Sequence, residues 1–388
     1  MRTEFTRNFE DRGEIGASVA IYVGGKLEVS LWGGVADTAS SRPWEEDTLV
    51  AVFSATKGLT ATCMHILADR GLIAFDTPVA TYWPEFAANG KAGITVGMVL
   101  AHQAGMPVFR EPLPEGGLTD WSLVIFRLEN EAPVWMPGTQ SGYHAVTIGY
   151  LLGEILRRVT GRTIGQFLRE EVAGPLGADV WIGLPPALHK KVATSYFDDP
   201  NPESALFRRM LEEPESLAGL LAANSGNDHT PESVNSAARR SAENPSAGGI
   251  ATAKGLARVY APLALDGSVD GVRLVSTAIL PFMRYVRSAA AVDTILEVAT
   301  TFTYGFSKSW GDRRLGEGEH VIIGEHAFGT AGAGGSMGFA DPQAKMSFGY
   351  AMNHLGPGIA LNSRGQSLID AAYGALDFSS SDPGFWVR

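Results

Sequence analysis

Ser54 and Lys57 stand three residues apart in Val52-Phe53-Ser54-Ala55-Thr56-Lys57-Gly58. At about 3.6 residues per turn, positions i and i+3 share one face of a helix, so the Lys57 ammonium can reach the Ser54 hydroxyl. A serine hydroxyl is a weak nucleophile until an adjacent base takes its proton. A helix N-terminus here adds free N–H groups and the positive end of a dipole, both suited to a developing oxyanion. The same spacing also fits an N-capping serine followed by a solvated lysine.

Support for chemistry comes from two further segments. Pro137-Gly138-Thr139-Gln140-Ser141-Gly142-Tyr143-His144-Ala145 is a Pro/Gly loop that delivers Tyr143 just ahead of a helical pattern. A phenol titrates at about 10 when unperturbed, and a neighbouring cation favours the phenolate. Tyr143 is thus a candidate general base on Ser54, with Lys57 keeping it ionised; the alternative is a packing tyrosine with a satisfied hydroxyl. Phe328-Gly329-Thr330-Ala331-Gly332-Ala333-Gly334-Gly335-Ser336 is a glycine-rich run leading into a strand. Glycines let a substrate lie against a strand edge and let a backbone N–H point at an oxyanion. Its alternative is a bend at a sheet edge.

The elements that must hold these residues are readable from periodicity. Ala17–Val23 and Lys26–Trp32 are short runs separated by Gly24-Gly25, and the second alternates Leu27, Val29 and Leu31 with Lys26, Glu28 and Ser30. That predicts a half-buried hairpin with a tight turn. A second hairpin is expected where Ser336–Ala340 and Lys345–Asn353 flank Asp341-Pro342-Gln343-Ala344. In between, residues 57–70 and 145–160 show helical spacing closed by Gly71 and Gly161. Residues 198–247 are polar and Pro/Asn/Ser-rich around an amphipathic stretch near Leu206–Leu221, and read as a long irregular excursion, a lid or pocket wall. Strands at both ends with helices between them predict an α/β fold of the α+β type: one antiparallel sheet built from both chain ends, flanked by helices, with an inserted helical domain.

Composition narrows the function classes. The 388 residues are 45% hydrophobic and 19% charged, the balance of a folded globule. Forty-two acidic against thirty-one basic residues give a net charge of −11, which disfavours nucleic-acid and membrane-surface roles. The single cysteine, Cys63, excludes an internal disulfide and a cysteine-based zinc site. The eight histidines are scattered without metal-ligand spacing, so neither a metal nor another cofactor is expected. The charged N-terminus has no apolar core and does not read as a signal peptide; no run of 18 apolar residues occurs, and a cytoplasmic location is the default expectation.

Together, Ser54-x-x-Lys57, Tyr143 after its Pro-Gly loop and the Gly-rich strand resemble the serine β-lactamase and penicillin-binding protein superfamily. Their order is similar to class C β-lactamases and, more closely, to the β-lactamase-like family VIII carboxylesterases. Leu100-Ala101-His102-Gln103-Ala104-Gly105, Ser246-Ala247-Gly248-Gly249-Ile250 and Gly338-Phe339-Ala340-Asp341-Pro342 leading to Tyr350-Ala351-Met352-Asn353 extend the resemblance over nearly the whole chain. It departs at two positions. Ala145 stands where the lactamase pattern Tyr-x-Asn has an amide, and Thr330-Ala331-Gly332 stands where it has Lys-Thr-Gly. The cation for a substrate carboxylate is therefore missing, which fits an uncharged ester better than a penicillin.

The resemblance implies a β-lactamase/penicillin-binding-protein-like fold. Its sheet domain would run over 1–60 and 246–388 and its helical domain over 61–245. The expected activity is that of a serine carboxylesterase on short acyl esters, through an acyl-enzyme on Ser54. Lys57 and Tyr143 handle protons, the N–H groups of Ser54 and Ala333 form the oxyanion hole, and Thr330, Gly332 and His144 meet substrate. The expected partner is a small ester; no oligomeric state is assigned. The rival readings are amide chemistry (β-lactamase, D-amino-acid peptidase, amidase or acyltransferase) and a non-catalytic binding module. Gly334-Gly335-Ser336-Met337-Gly338 fits the Gly-x-Ser-x-Gly elbow of α/β-hydrolases, but it runs into a hairpin rather than strand–turn–helix. His102 is expected to tie loops together, and His144 to be the histidine that sees substrate.

Overall fold

Gly24 and Gly25 adopt φ of 57° and 84°, the left-handed backbone that lets the first hairpin turn tightly. The computed structural model describes residues 1–388 except 200, 202, 311, 313–319 and 381–383. In chain order, the elements that position the site are α1 (Arg2–Asp11), β1 (Gly16–Val23), β2 (Lys26–Asp37), β3 (Arg42–Pro43), β4 (Val50–Phe53) and α2 (Thr56–Asp69). They continue with α3 (Thr147–Thr160), β5 (Val180–Ile182), β6 (Gly249–Ala251), α4 (Ala253–Tyr260), β7 (Phe328–Ala331), β8 (Met337–Asp341), β9 (Met346–Met352) and α5 (Ser363–Gly374).

The main sheet has the order β7-β8-β9-β1-β2-β3 and is antiparallel throughout. Both chain ends therefore build one sheet, as the two predicted hairpins require. Its centre is covered on both faces. Val19, Ile21, Phe339 and Phe348 pack with Phe5 of α1 and Leu368, Ile369 and Tyr373 of α5. Ala20, Tyr22, Ala340 and Ala351 belong to the larger core shared with α4 and α2, where Leu256, Tyr260, Leu59, Cys63 and Ile66 lie. Each large apolar side chain buried this way stabilises the fold by about 1.5–3 kcal/mol. Toward the edge the burial fades: in β2, Leu27 is 39% exposed, and only Val29 and Leu31 of the expected inward set are half-buried.

A second, three-stranded sheet of order β4-β6-β5 joins distant segments, with Gly249–Ala251 pairing to both neighbours. Its strand β4 runs straight into Ser54. The segment expected as an irregular excursion is more ordered than its sequence promised. It holds short helices at Ala205–Glu212, Leu217–Asn224, Pro231–Asn235 and Ala237–Ser241. Ser216, Thr230 and Ser236 cap three of them by accepting from a backbone N–H one turn on. Residues 200 and 202 of that stretch lie outside the described residues. The fold is a mixed α/β arrangement of antiparallel sheets and helices. Among the described residues, no helix is long and apolar enough to cross a membrane.

Candidate active site

Ser54 sits at the junction of β4 and α2, and the backbone before it is strained. Phe53 has φ of 45°, a conformation that costs a bulky residue of order 1–3 kcal/mol and persists only where its surroundings impose it. The surroundings are visible. Thr56 Oγ1 donates to the Phe53 carbonyl and accepts from Gly249 N at 2.8 Å, while the Val52 carbonyl accepts from Ser336 Oγ at 2.8 Å. Ser54 itself is half-buried. Among the described residues, neither Ser54 N–H nor Ala333 N–H donates to a protein acceptor, which leaves both free for an oxyanion.

Lys57 is buried and makes three contacts: Ser54 Oγ at 3.0 Å, the Ala145 carbonyl at 2.7 Å and the Ser246 carbonyl at 3.0 Å. The two carbonyls can only accept, so they take two N–H bonds. When the amine is neutral, its lone pair is left facing the Ser54 hydroxyl. Among the described residues no carboxylate compensates its charge, and burial pulls Lys57 down to about 7. Ser246 serves twice, since its Oγ donates to the Val146 carbonyl and accepts from Gly149 N at 2.8 Å, anchoring the start of α3.

Tyr143 approaches from the other side, with Lys57 Nζ 4.9 Å from its ring centroid. The expectation that Lys57 keeps this phenol ionised is corrected here. Burial pushes Tyr143 above its ordinary value; a hydrogen bond with Ser54 opposes this, and the Asp293 carboxylate adds to the rise. A phenol that resists ionisation is poorly suited to resting as a phenolate, whereas the neighbouring amine gives up its proton easily.

Asp293 carried no sequence signal, yet it orders this corner. Its buried carboxylate accepts from Tyr143 N at 3.0 Å, Ile295 N at 2.9 Å, Leu296 N at 3.0 Å and Thr300 Oγ1 at 3.1 Å. A spacing rule could not find it, because its partners lie 150 residues back and within its own loop.

Of the two histidines, His102 keeps the role expected of it and His144 does not. His144 is fully buried and does not reach the cavity: its Nε2 accepts from Met106 N at 3.0 Å, and its Nδ1 lies 2.7 Å from the Gly142 carbonyl. Both ring nitrogens are thereby committed to backbone, and burial drops its pKa to about 4. His102 does tie loops together, accepting from His144 N at 3.0 Å through Nδ1, but it also lines the cavity, packed 4.8 Å from the Tyr143 ring and 4.4 Å from Phe302.

Of the glycine-rich residues, Thr330 lines the cavity with its Oγ1 buried. It lies above Gly58 beside the Tyr260 hydroxyl, and a Cβ at position 58 would overlap that hydroxyl. Gly332 lies beside the Val52 carbonyl, where any side chain would clash, and its N–H donates to Ser336 O at 2.7 Å. Ser336 is fully buried with its hydroxyl spent on Val52, so it is not a nucleophile. The cavity is small, about 40 Å³, and is walled by Lys57, His102, Tyr143, Leu296, Phe302, Trp310 and Thr330 among others.

Residues 4–372 match the sequence pattern of the Beta-lactamase family. The chain belongs to that family. Among its curated relatives is the Esterase/beta-lactamase LipL of Mycobacterium tuberculosis, 36% identical over 90% of this chain and 80% of the relative. Among solved structures, a family VIII carboxylesterase is 38% identical and superposes with a TM-score of 0.85 over 96% of both chains. A penicillin-binding protein homologue from Caulobacter crescentus is 37% identical, with a TM-score of 0.82 over 96% of both chains. This member of the beta-lactamase family thus resembles proteins named for ester chemistry, for lactam chemistry and for both.

Proposed function

We propose that the protein is a serine carboxylesterase that hydrolyses small, uncharged esters of short acyl groups through an acyl-enzyme on Ser54. The observation that carries this reading is the environment of Lys57, a buried amine whose two N–H bonds go to carbonyls and whose remaining direction faces Ser54 Oγ. Neutral Lys57 accepts the Ser54 proton as the oxygen attacks the ester carbonyl. The N–H groups of Ser54 and Ala333 receive the oxyanion. The Tyr143 phenol gives its proton to the departing alcohol and regains one from the Lys57 ammonium. Water then repeats the sequence on the acyl-enzyme in reverse.

Esterase-named relatives and the family VIII neighbour support ester over amide chemistry. So do Ala145 and Thr330, which offer neither the amide nor the cation of the lactamase pattern. The division into a sheet domain, 1–60 and 246–388, and a helical domain, 61–245, belongs to the same reading. The cavity draws Lys57, Phe302 and Thr330 from the first and His102 and Tyr143 from the second. The test is a fluorophosphonate probe with a panel of p-nitrophenyl esters of graded acyl length and a chromogenic cephalosporin. Labelling of Ser54 with fastest turnover of the short esters is expected. No labelling of folded protein would favour a binding module, and cephalosporin turnover matching the esters would favour amide chemistry.

A further inference from the structure

Trp310 is the side chain common to two hollows. On one side is the cavity of about 40 Å³ walled by Lys57 and Tyr143; on the other is a surface recess of about 420 Å³, lined among the described residues by Ala289, Ala290, Thr300, Ile322 and Phe385 with Trp310. One hairpin walls both. In the strand Thr300–Phe302, Phe302 faces the cavity while Thr300 and Thr301 line the recess, and its partner strand Ser288–Ala290 supplies Ala289 and Ala290. The partition is fixed in place. Trp310 and the fully buried Val321 exchange two backbone hydrogen bonds of 3.0 Å, and Ser309 Oγ accepts from Ile323 N at 2.8 Å.

The recess has no charged side chain among its described lining residues, so its chemistry suits hydrocarbon. The part of the substrate that faces Trp310 follows from the other walls. Tyr143, the proton donor to the leaving alcohol in the reading above, lines the cavity beside Lys57, whereas Ser54 and Ala333, which hold the acyl carbon and its oxyanion, do not. We propose that Trp310 sets the size limit on the leaving alcohol of the substrate, by closing this cavity off from an apolar recess able to take an alkyl chain. This rests on the ester reading above.

The experiment compares two ester series on wild type, Trp310→Ala and Trp310→Leu, the last retaining apolar contact with the neighbouring core. One series lengthens the alcohol (ethyl, butyl, hexyl and octyl acetate), and the other lengthens the acyl group of ethyl esters. Wild type is expected to lose activity beyond the shorter alcohols. In Trp310→Ala, kcat/KM should rise about fourfold for each methylene added to the alcohol, the worth of a buried methylene, with Trp310→Leu between the two. The acyl series should keep its wild-type profile. An unchanged alcohol profile in both variants, or a shift confined to the acyl series, overturns the role of Trp310. Failure of wild type to hydrolyse any ester overturns the ester reading itself.

Discussion

The hydroxyl of Ser336 donates to the carbonyl of Val52 at 2.8 Å, two residues ahead of Ser54. A serine in a Gly-x-Ser-x-Gly setting is thus spent on holding the backbone that presents a different serine. Ser54→Ala should abolish ester hydrolysis, by roughly four orders of magnitude or more, and leave the fold intact. Ser336→Ala should keep the probe-reactive serine and cost about 0.5–1.5 kcal/mol of stability, because the Val52 carbonyl still accepts from Ala55 N at 3.0 Å. Probe labelling and thermal melts of the two variants check this; activity lost in Ser336→Ala and kept in Ser54→Ala would reverse the assignment.

The Lys57 amine must be neutral to accept a proton, and burial holds its pKa at about 7. kcat/KM should therefore fall about tenfold per unit as pH drops below about 7, and level off above it. The folded value lies below the ordinary 10.5, so the unfolded chain binds the extra proton between the two, and stability gains as pH rises through that window. Lys57→Arg places a cation that does not deprotonate. It should be inactive at every pH, and a pH–rate profile of both proteins checks the pair of statements.

Tyr143→Phe removes a hydroxyl and keeps the ring that packs on His102 and Phe302. kcat should fall by about two to four orders of magnitude with little change in KM. Because burial raises the Tyr143 phenol, the wild-type profile should show no alkaline limb from it near pH 10. A mild effect on kcat would return both proton transfers to Lys57 and water.

Thr330 offers a hydroxyl where the lactamase pattern offers an ammonium. A charge-assisted bond to a substrate carboxylate is worth roughly 1.5–3 kcal/mol, and its absence should cost a cephalosporin about one to two orders of magnitude in kcat/KM. A neutral ester such as p-nitrophenyl butyrate loses nothing. Measuring both substrates on wild type and Thr330→Lys separates the cases; equal turnover by wild type would defeat the preference.

Much of this was legible from local pattern. Gly24-Gly25 marked a hairpin because two successive left-handed residues leave few alternatives, and Ser54, Lys57 and Tyr143 stood out as candidates through residue type and helix or loop context. What escaped was set by tertiary partners. Asp293 lies in a loop without periodicity, and its partner Tyr143 is 150 residues away. His144 was expected at the substrate because it adjoins Tyr143. Its ring is instead committed to Met106 and Gly142, while His102, at φ of 58°, is the histidine at the cavity. The helices between 205 and 241 are eight residues or shorter, too brief for a repeating stripe to stand out.

The lysine–serine pair is local, but what makes it reactive is not. Lys57 gains its Ser246 contact 189 residues downstream, and Val52 gains its Ser336 contact 284 residues downstream. During synthesis the nucleophile and its amine leave the ribosome early, yet the amine stays solvated and fully protonated until those late segments arrive and close the long loops. A nascent chain is therefore chemically silent toward esters. Regain of hydrolysis on refolding should report the slowest long-range pairing, after helix signals from α2 have already returned.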